Sequence, residues 1–195
     1  MKKIFVAMSL VCSALLSGCL IPESFSAKVE VQPDGSYTFQ YSGTAVHALA
    51  AAQIKKAGSL SDKDQNSLKM EAEKLSMSPG VQRAVYKRDG RYELEVESKK
   101  KAGESLRMFD IFTVSTDKNG IMTIASNEIK DKEKRDLEQI GIKIDGTLEV
   151  RLPKNAEIIS QNATSTPTFF GMFGTYAWKI GRIDQRPVMK LKLKP

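Results

Sequence analysis

Short turn signals between alternating segments are the feature that most constrains the fold of this chain. Pro33-Asp34-Gly35-Ser36, Asp89-Gly90 and Asn119-Gly120 each separate two segments in which apolar and polar residues alternate. Alternation places one kind of side chain on each face of a strand, and Asp-Gly or Asn-Gly favours the tight turns of antiparallel hairpins. The sequence therefore predicts three β-hairpins. Their strands are expected at residues 28–32, 37–41, 81–88, 91–99, 109–116 and 121–126.

Three other segments have the periodicity and end signals of helices. Residues 44–57 are rich in alanine and precede Gly58, a typical C-cap, and Ser61 is a typical N-cap for a second helix. Residues 129–140 are dense in charge and predict a short third helix that ends at Gly141. The apolar side chains expected to face inward are those of Val46, Leu49, Ile54, Ala57, Leu68, Ala72, Leu75, Ile129, Leu137 and Ile140.

The C-terminal third predicts four more strands, at residues 147–152, 157–161, 175–180 and 188–194. The expected fold is therefore α+β, a largely antiparallel sheet of hairpins with two or three helices packed on one side. A length of 195 residues with 41% hydrophobic and 27% charged residues is typical of one globular domain, which we place at residues 28–195.

The N-terminus has the pattern of a signal peptide. Two lysines precede residues 4–16, which carry no charge and are too short to span a bilayer. This length is typical of the apolar region of a signal peptide, and no later segment reaches the length of a membrane span. The pattern thus predicts export with no transmembrane anchor.

The end of this signal peptide, Leu16-Ser17-Gly18-Cys19, resembles the bacterial lipobox, in which a large aliphatic residue and two small residues precede an invariant cysteine. The resemblance implies that residues 1–18 are removed, that Cys19 receives a diacylglyceryl thioether and that its new amino group is acylated. Several acyl chains hold a protein to a membrane far more firmly than one does. The alternative is an ordinary secretory peptide with an incidental cysteine.

Processing would change the cysteine and charge counts of the mature protein. Cys12 leaves with the signal peptide and Cys19 becomes a thioether, so neither a disulfide nor thiolate catalysis is expected. Loss of two lysines leaves 28 basic and 23 acidic residues, a net charge of +5. Leu20 stands where an inner-membrane retention signal would have aspartate, so in an organism with two membranes we expect the periplasmic face of the outer membrane rather than the inner membrane. Residues 19–27 are expected to form a lipidated tether.

Residues that could carry catalysis are sparse. His47 is the only histidine, so a two-histidine metal site or a Cys-His pair cannot be built, and His47 is expected to lie at the surface near a helix cap. Glu93, Glu95 and Glu97 share one strand face and are expected to be solvated. We therefore predict a protein that is not an enzyme and that holds no cofactor and no metal.

Two basic segments are candidate binding surfaces. Lys99-Lys100-Lys101 is short, and the basic residues are interleaved with acidic ones rather than gathered beside aromatics, so nucleic acid is not an expected partner. Lys190, Lys192 and Lys194 alternate with apolar residues and would share one face of a terminal strand. Lysines often protect an edge strand from pairing, and the alternative is contact with anionic headgroups or an anionic envelope polymer.

An aromatic segment between two predicted strands is the most unusual stretch of the chain. Phe169, Phe170, Met172 and Phe173 lie within a connection of about a dozen residues, longer than most hairpin loops. The phenylalanines either fold back over the core above Trp178 or form an exposed apolar tip. Such a tip would enter a bilayer interface, receive a lipid or dock a partner.

Five segments, taken in order, form a further pattern: Val31–Tyr37, Gly80-Val81 with its Asp-Gly hairpin, Leu148–Pro153, Ile158–Asn162 and Tyr176–Lys179. This pattern resembles the LppM-like lipoprotein domain, in which a strand ending near proline precedes an asparagine turn and a strand with a central tryptophan. Many members of that family end in a transmembrane helix, whereas this chain ends in Val188–Pro195. The resemblance implies a compact envelope domain, with lipid or glycolipid binding proposed for the group, and brings no catalytic residues.

These observations together predict a lipid-anchored envelope lipoprotein that acts as a non-catalytic binding or interaction module, with a lipid, a glycolipid or an envelope protein as partner. A structural accessory or exclusion factor acting by protein contacts is the alternative, and an enzyme of unrecognised type is the third. A lipid binder would need an apolar pocket of several hundred Å³.

Overall fold

Two β-sheets and three helices make up the part of the chain that the computed structural model describes, which is residues 20–109, 111–127, 130–168, 174–181 and 186–194. The α+β class predicted from the sequence is confirmed. No helix within these residues is long and apolar enough to cross a membrane. The elements are β1 (Leu20–Val31), β2 (Tyr37–His47), α1 (Ala48–Ala57), α2 (Asp62–Ser76), β3 (Val81–Tyr86), β4 (Arg91–Lys100), β5 (Leu106–Met108), β6 (Phe112–Thr116), β7 (Ile121–Ser126), α3 (Asp131–Gln139), β8 (Asp145–Arg151), β9 (Ala156–Gln161), β10 (Tyr176–Ile180) and β11 (Val188–Leu193).

The larger sheet has six strands in the order β10-β8-β1-β2-β4-β3. Only the β1–β8 pair is parallel, and the other neighbours are antiparallel. At the first predicted turn, Asp34 Oδ1 accepts hydrogen bonds from Ser36 N and Ser36 Oγ, at 2.9 and 2.6 Å, which fixes the turn between β1 and β2. The parallel pair joins the N-terminal hairpin to the C-terminal third of the chain.

The smaller sheet has five antiparallel strands in the order β5-β6-β7-β11-β9. Its buried face packs on the larger sheet through aromatic rings. The ring centroid of Phe112 lies 5.5 Å from that of Phe25 and 5.8 Å from that of Phe39, and Tyr41 and Phe109 are 4.7 Å apart. Apolar burial between the two sheets is the main source of stability in such a core.

Helix α2 packs on the same face of the larger sheet beside β3. As predicted, Ser61 caps it, with Asp64 N donating to Ser61 Oγ at 3.2 Å. The predicted stripe of Leu68, Ala72 and Leu75 is buried. The Tyr92 hydroxyl on β4 donates to Leu68 O at 3.3 Å, which ties the helix to the sheet.

Strand β1 begins earlier than the sequence predicted. Residues 20–27 belong to the sheet rather than to a tether, because they pair with β2 over their whole length. A bulge between Pro22 and Ser24 shifts the register, so the buried residues are Leu20, Pro22, Phe25 and Ala27. Because of this one-residue shift, buried and exposed positions do not alternate regularly over residues 20–27, so the sequence pattern does not predict a strand there.

Strand β2 continues into the segment that was predicted to begin the first helix. Residues 44–47 pair with β1 and β4, so α1 starts at Ala48. Pairing on both sides overrides the helical preference of this segment. The expected inward positions are therefore partly wrong, since Val46 is buried within a strand while Leu49 and Ala57 are exposed.

Two smaller differences concern the second half of the chain. The strand predicted at residues 109–116 begins only at Phe112, as β6, because Phe109 is in the left-handed region at φ 52° and separates β6 from the short strand β5 before it. Helix α3 buries no residue, and Leu137 and Ile140 are only half-buried. Residue 129, a predicted inward position, lies outside the described residues.

Candidate ligand groove

A groove opens where β1 and β8 end. Because the two strands are parallel, with Glu30 opposite Arg151, their C-terminal ends lie at the same edge of the sheet. The chain leaves this edge through the β1–β2 turn and the β8–β9 connection, and residues 30–33 and 151–155 enclose a groove of about 550 Å³. This volume lies within the range of sites for small ligands.

Apolar side chains and two prolines form much of the groove wall. Val31 is buried, and Leu152 and Pro153 are half-buried, while Pro33 lies across from them in the turn. Proline fixes its own φ and has no N–H, so these two residues present rigid surfaces with little demand for hydrogen bonds. The wall therefore suits an apolar group.

Two cations stand at the rim of this wall. Arg151 and Lys154 are exposed, and neither forms an ion pair with the residues that the structure describes. Glu30 opposes Arg151 across the strands but does not pair with it in the described part of the chain. An anionic group could bind the Arg151 guanidinium and the Lys154 ammonium group, because no carboxylate among the described residues forms an ion pair with either of them.

Asn155 joins the two walls of the groove. Its Nδ2 donates to Pro33 O at 3.1 Å and to Lys194 O at 2.8 Å, and Lys194 N donates to Asn155 O at 2.9 Å. Its Oδ1 is buried and accepts no hydrogen bond from the described residues. A buried acceptor without a partner is costly, so a donor from a ligand or from solvent would stabilise it. No sequence signal singled out Asn155, because its partners are remote in the chain.

The predicted basic face lies beside this groove. Lys190 and Lys192 are exposed on one face of β11, and the exposed Lys194 follows the last residue of this strand and lies 3.4 Å from Glu157. The expected explanation by edge protection is wrong, because β11 pairs with both β7 and β9. The role of these lysines in binding stays a prediction.

The predicted lipidation site and the predicted aromatic segment lie outside the part of the chain that the structure describes. Leu16, Ser17, Gly18 and Cys19 lie outside the described residues, as do Phe169, Phe170, Met172 and Phe173. The structure does show the positions of residues that flank the aromatic segment on both sides. Ser165 and Ala177 exchange backbone hydrogen bonds of 3.0 and 3.1 Å, so its two ends lie beside β10 at the edge of the larger sheet.

His47 has a structural position. It is the N-cap of α1, where its Nδ1 accepts a hydrogen bond of 3.3 Å from Ala50 N. This agrees with the expected place near a helix cap. The single imidazole of the chain is therefore engaged in capping.

The glutamates of β4 lie on the solvated face of the larger sheet, as predicted. Glu93 pairs with Lys87 at 3.0 Å and Arg83 at 3.3 Å, and the Lys87 hydrogen bond, followed by the charge of Arg83, lowers the pKa of Glu93. The pKa of Glu97 is lowered by hydrogen bonds from Gln40 and Lys99. A carboxyl that serves as a general acid needs a raised pKa, whereas the lowered pKa values of Glu93 and Glu97 keep these two side chains ionised.

The fold and the groove define an α+β domain with an open groove at one end of its larger sheet. No protein-family model matches the chain, and no curated protein matches it. Among solved structures, the NMR structure of the folded domain of LppM from Mycobacterium tuberculosis is similar, with 13% sequence identity and a TM-score of 0.36, covering 93% of this chain and 96% of that one. The resemblance of this sequence to the LppM-like domain thus stays a prediction.

Proposed function

We propose that this protein is a lipid-anchored binding module of a bacterial cell envelope and that the groove formed by residues 30–33 and 151–155 holds its ligand. The groove carries this proposal, because it combines a rigid apolar wall, two unpaired cations and a buried acceptor without a partner among the described residues. Convergent polar groups in an apolar cleft are typical of binding sites.

The anchoring half of the proposal is supported by the lipobox and by the start of the first strand. Cys19 directly precedes β1, so an acyl chain at this residue would attach almost at the end of the larger sheet. Strand β1 has 12 residues. At about 3.3 Å per residue, the groove at its far end would stand roughly 40 Å from the attachment point.

The chemistry of the groove favours an anionic amphipathic ligand, such as an acidic lipid or glycolipid. An acyl or other apolar part would contact Val31, Leu152 and Pro153, and an acidic headgroup would contact Arg151 and Lys154. A hydroxyl group of the headgroup would donate to Asn155 Oδ1. We propose binding rather than catalysis, since His47 caps a helix and the lowered pKa values of Glu93 and Glu97 hold these two carboxyls ionised.

The test is native mass spectrometry of the mature lipidated protein, purified in a mild detergent with phosphatidylglycerol or phosphatidylcholine added. We expect the wild type to retain phosphatidylglycerol in preference to phosphatidylcholine. The double variant Arg151→Ser/Lys154→Ser should lose this preference. Lys63→Ser/Lys69→Ser, which removes two exposed cations from α2, is the matched control and should behave as the wild type.

Retention of both lipids to the same extent in all three proteins would contradict the proposed ligand class.

A second candidate function, action through protein contacts alone, is favoured by β9. This strand lies at the edge of the smaller sheet, and its Ile159 is 51% exposed to solvent. Envelope proteins captured by a photo-crosslinker at position 159, without selective lipid retention, would support that function.

A further inference from the structure

The end of the larger sheet next to Cys19 carries helix α1. Leu20, the first residue of β1, pairs with His47, the last residue of β2, and α1 begins at the following residue. His47 N donates to Gly90 O at 2.7 Å, and a side chain at Gly90 would lie 2.6 Å from Ala50 Cβ. The N-terminal turn of α1 is therefore packed tightly against the β3–β4 turn.

The other half of α1 stays at the same end of the sheet. Gln53 Nε2 donates to Asp64 Oδ2 at 3.0 Å, and Gln65 Nε2 donates to Asp89 Oδ1 at 3.3 Å in the β3–β4 turn. The first turn and the middle of α1 are thus held at the level of the strand ends.

The outer side of α1 is apolar and basic. Leu49 is 68% exposed, and Lys55 and Lys56 in the last turn are also exposed. The helix contains no acidic residue, and within the described residues neither lysine forms an ion pair. An exposed large apolar side chain beside uncompensated lysines is typical of a helix that lies in a membrane interface.

We infer that α1 rests on the anionic bilayer surface that holds Cys19, with Leu49 in the interfacial layer and the two lysines at lipid phosphates. This inference rests on the proposed acyl anchor. One residue spans at most about 3.6 Å, and adjacent strands lie about 4.8 Å apart, so an anchor at Cys19 holds the start of α1 close to the headgroups. The negative surface potential of an anionic leaflet attracts lysine side chains that lie close to it.

The experiment uses the absence of other free thiols from the acylated mature protein. The Leu49→Cys variant is labelled with the environment-sensitive dye NBD and reconstituted in vesicles of phosphatidylcholine with or without phosphatidylglycerol. We expect a blue-shifted and several-fold stronger emission in the anionic vesicles. Adding Lys55→Glu/Lys56→Glu should reverse the change.

Met77→Cys is the matched control. Met77 is 83% exposed and lies just beyond the last residue of α2, 12 residues after Gln65, which contacts Asp89. Twelve helical residues extend roughly 18 Å, so a dye at residue 77 should remain in water. Circular dichroism spectra that match the wild type confirm that each labelled variant is folded.

Flotation of the vesicles separates this inference from the anchor on which it depends. If the protein floats with the vesicles and the dye at residue 49 stays as water-exposed as the dye at residue 77, the inference is wrong and the anchor stands. If the protein does not float and Cys19 itself takes the dye, the anchor and the inference both fail.

Discussion

Trp178 Nε1 donates a 2.8 Å hydrogen bond to Asn162 Oδ1, and this contact joins the two sheets. Trp178 lies on β10 in the larger sheet and is 4% exposed. Asn162 also accepts a hydrogen bond from Val188 N, on β11 in the smaller sheet, at 2.8 Å and donates to Arg186 O at 2.9 Å. One side chain therefore satisfies three polar groups from two sheets.

Asn162→Ala is expected to destabilise the fold. The substitution leaves the indole N–H and a backbone N–H without their acceptor, and each such loss costs about 1–3 kcal/mol. Thermal denaturation followed by near-ultraviolet circular dichroism measures the effect and reports on Trp178 directly. Asn66→Ala, at an exposed position of α2, is the control and should leave the melting temperature almost unchanged. Equal melting temperatures for the two variants would contradict the structural role of Asn162.

Gly43→Ala should disrupt the pairing of β1 and β2. A Cβ atom at residue 43 would lie 2.5 Å from Phe25 Cα and would also clash with the Ser24 carbonyl oxygen. The clash is with backbone, which cannot rotate away, so we expect a loss at the upper end of the roughly 1–3 kcal/mol typical of overpacking, or an unfolded protein. Urea denaturation measures the loss.

Gly181→Ala is the matched control for this prediction, since a Cβ there would meet nothing within 4 Å. The control variant should unfold at the urea concentration of the wild type. If Gly43→Ala has the same midpoint as Gly181→Ala, then β1 and β2 do not approach as closely as described.

Alkaline pH should weaken the fold through buried tyrosines. Burial, followed by the charge of Glu104, raises the pKa of Tyr37 from about 10 to about 12, and the Tyr37 hydroxyl donates to Glu104 O at 2.9 Å. Burial also raises the pKa of Tyr41. Between pH 10 and 12 the unfolded chain has lost the Tyr37 proton that the folded chain keeps, so stability decreases as pH rises through this window.

The decrease is measured from urea midpoints at a series of pH values, with tyrosinate absorbance recorded in parallel. Tyr37→Phe cannot ionise, and it should reduce the dependence on pH in this window. An identical pH dependence in the wild type and in Tyr37→Phe would contradict the raised pKa.

Cys19→Ala should abolish acylation. The alanine offers no sulfur for a thioether, so the protein should accumulate in its unprocessed form or leave the membrane fraction. Incorporation of labelled fatty acid and fractionation of the cells measure the two effects. Cys12→Ala is the control, because this residue lies in the predicted signal peptide and its loss should leave the label in place. Unchanged membrane fractionation of Cys19→Ala, with no label in either protein, would contradict the lipobox interpretation.

Local signals account for the parts of the fold that the sequence predicted well. Asp89-Gly90 and Asn119-Gly120 lie in hairpin turns, and Gly58 is the C-cap of α1 in the left-handed conformation at φ 84°. Ser61 caps α2 as expected. In each case the deciding interaction lies within a few residues of the signal, so the sequence window contains the whole cause.

Where prediction failed, distant partners decided the outcome. Residues 44–47 are part of a strand because β1 and β4 pair with this segment. The strand that carries the basic face of Lys190, Lys192 and Lys194 is internal because β9 pairs with β11 on its outer side. The candidate groove could not be foreseen for the same reason. Asn155 Nδ2 and Pro33 O are 122 residues apart in sequence, although they lie 3.1 Å apart in space.

By itself, the sequence determined the α+β class, the hairpin turns, the helix caps and the lipobox pattern that ends at Cys19. The tertiary structure decided the parallel pairing of β1 with β8, the internal place of β11, the groove between residues 30–33 and 151–155, and the position of α1 beside Leu20. The physical reason is the distance along the chain between the residues that interact. Turns and caps depend on backbone conformations and hydrogen bonds within a few residues, whereas strand order depends on which apolar faces bury each other once the whole chain has collapsed.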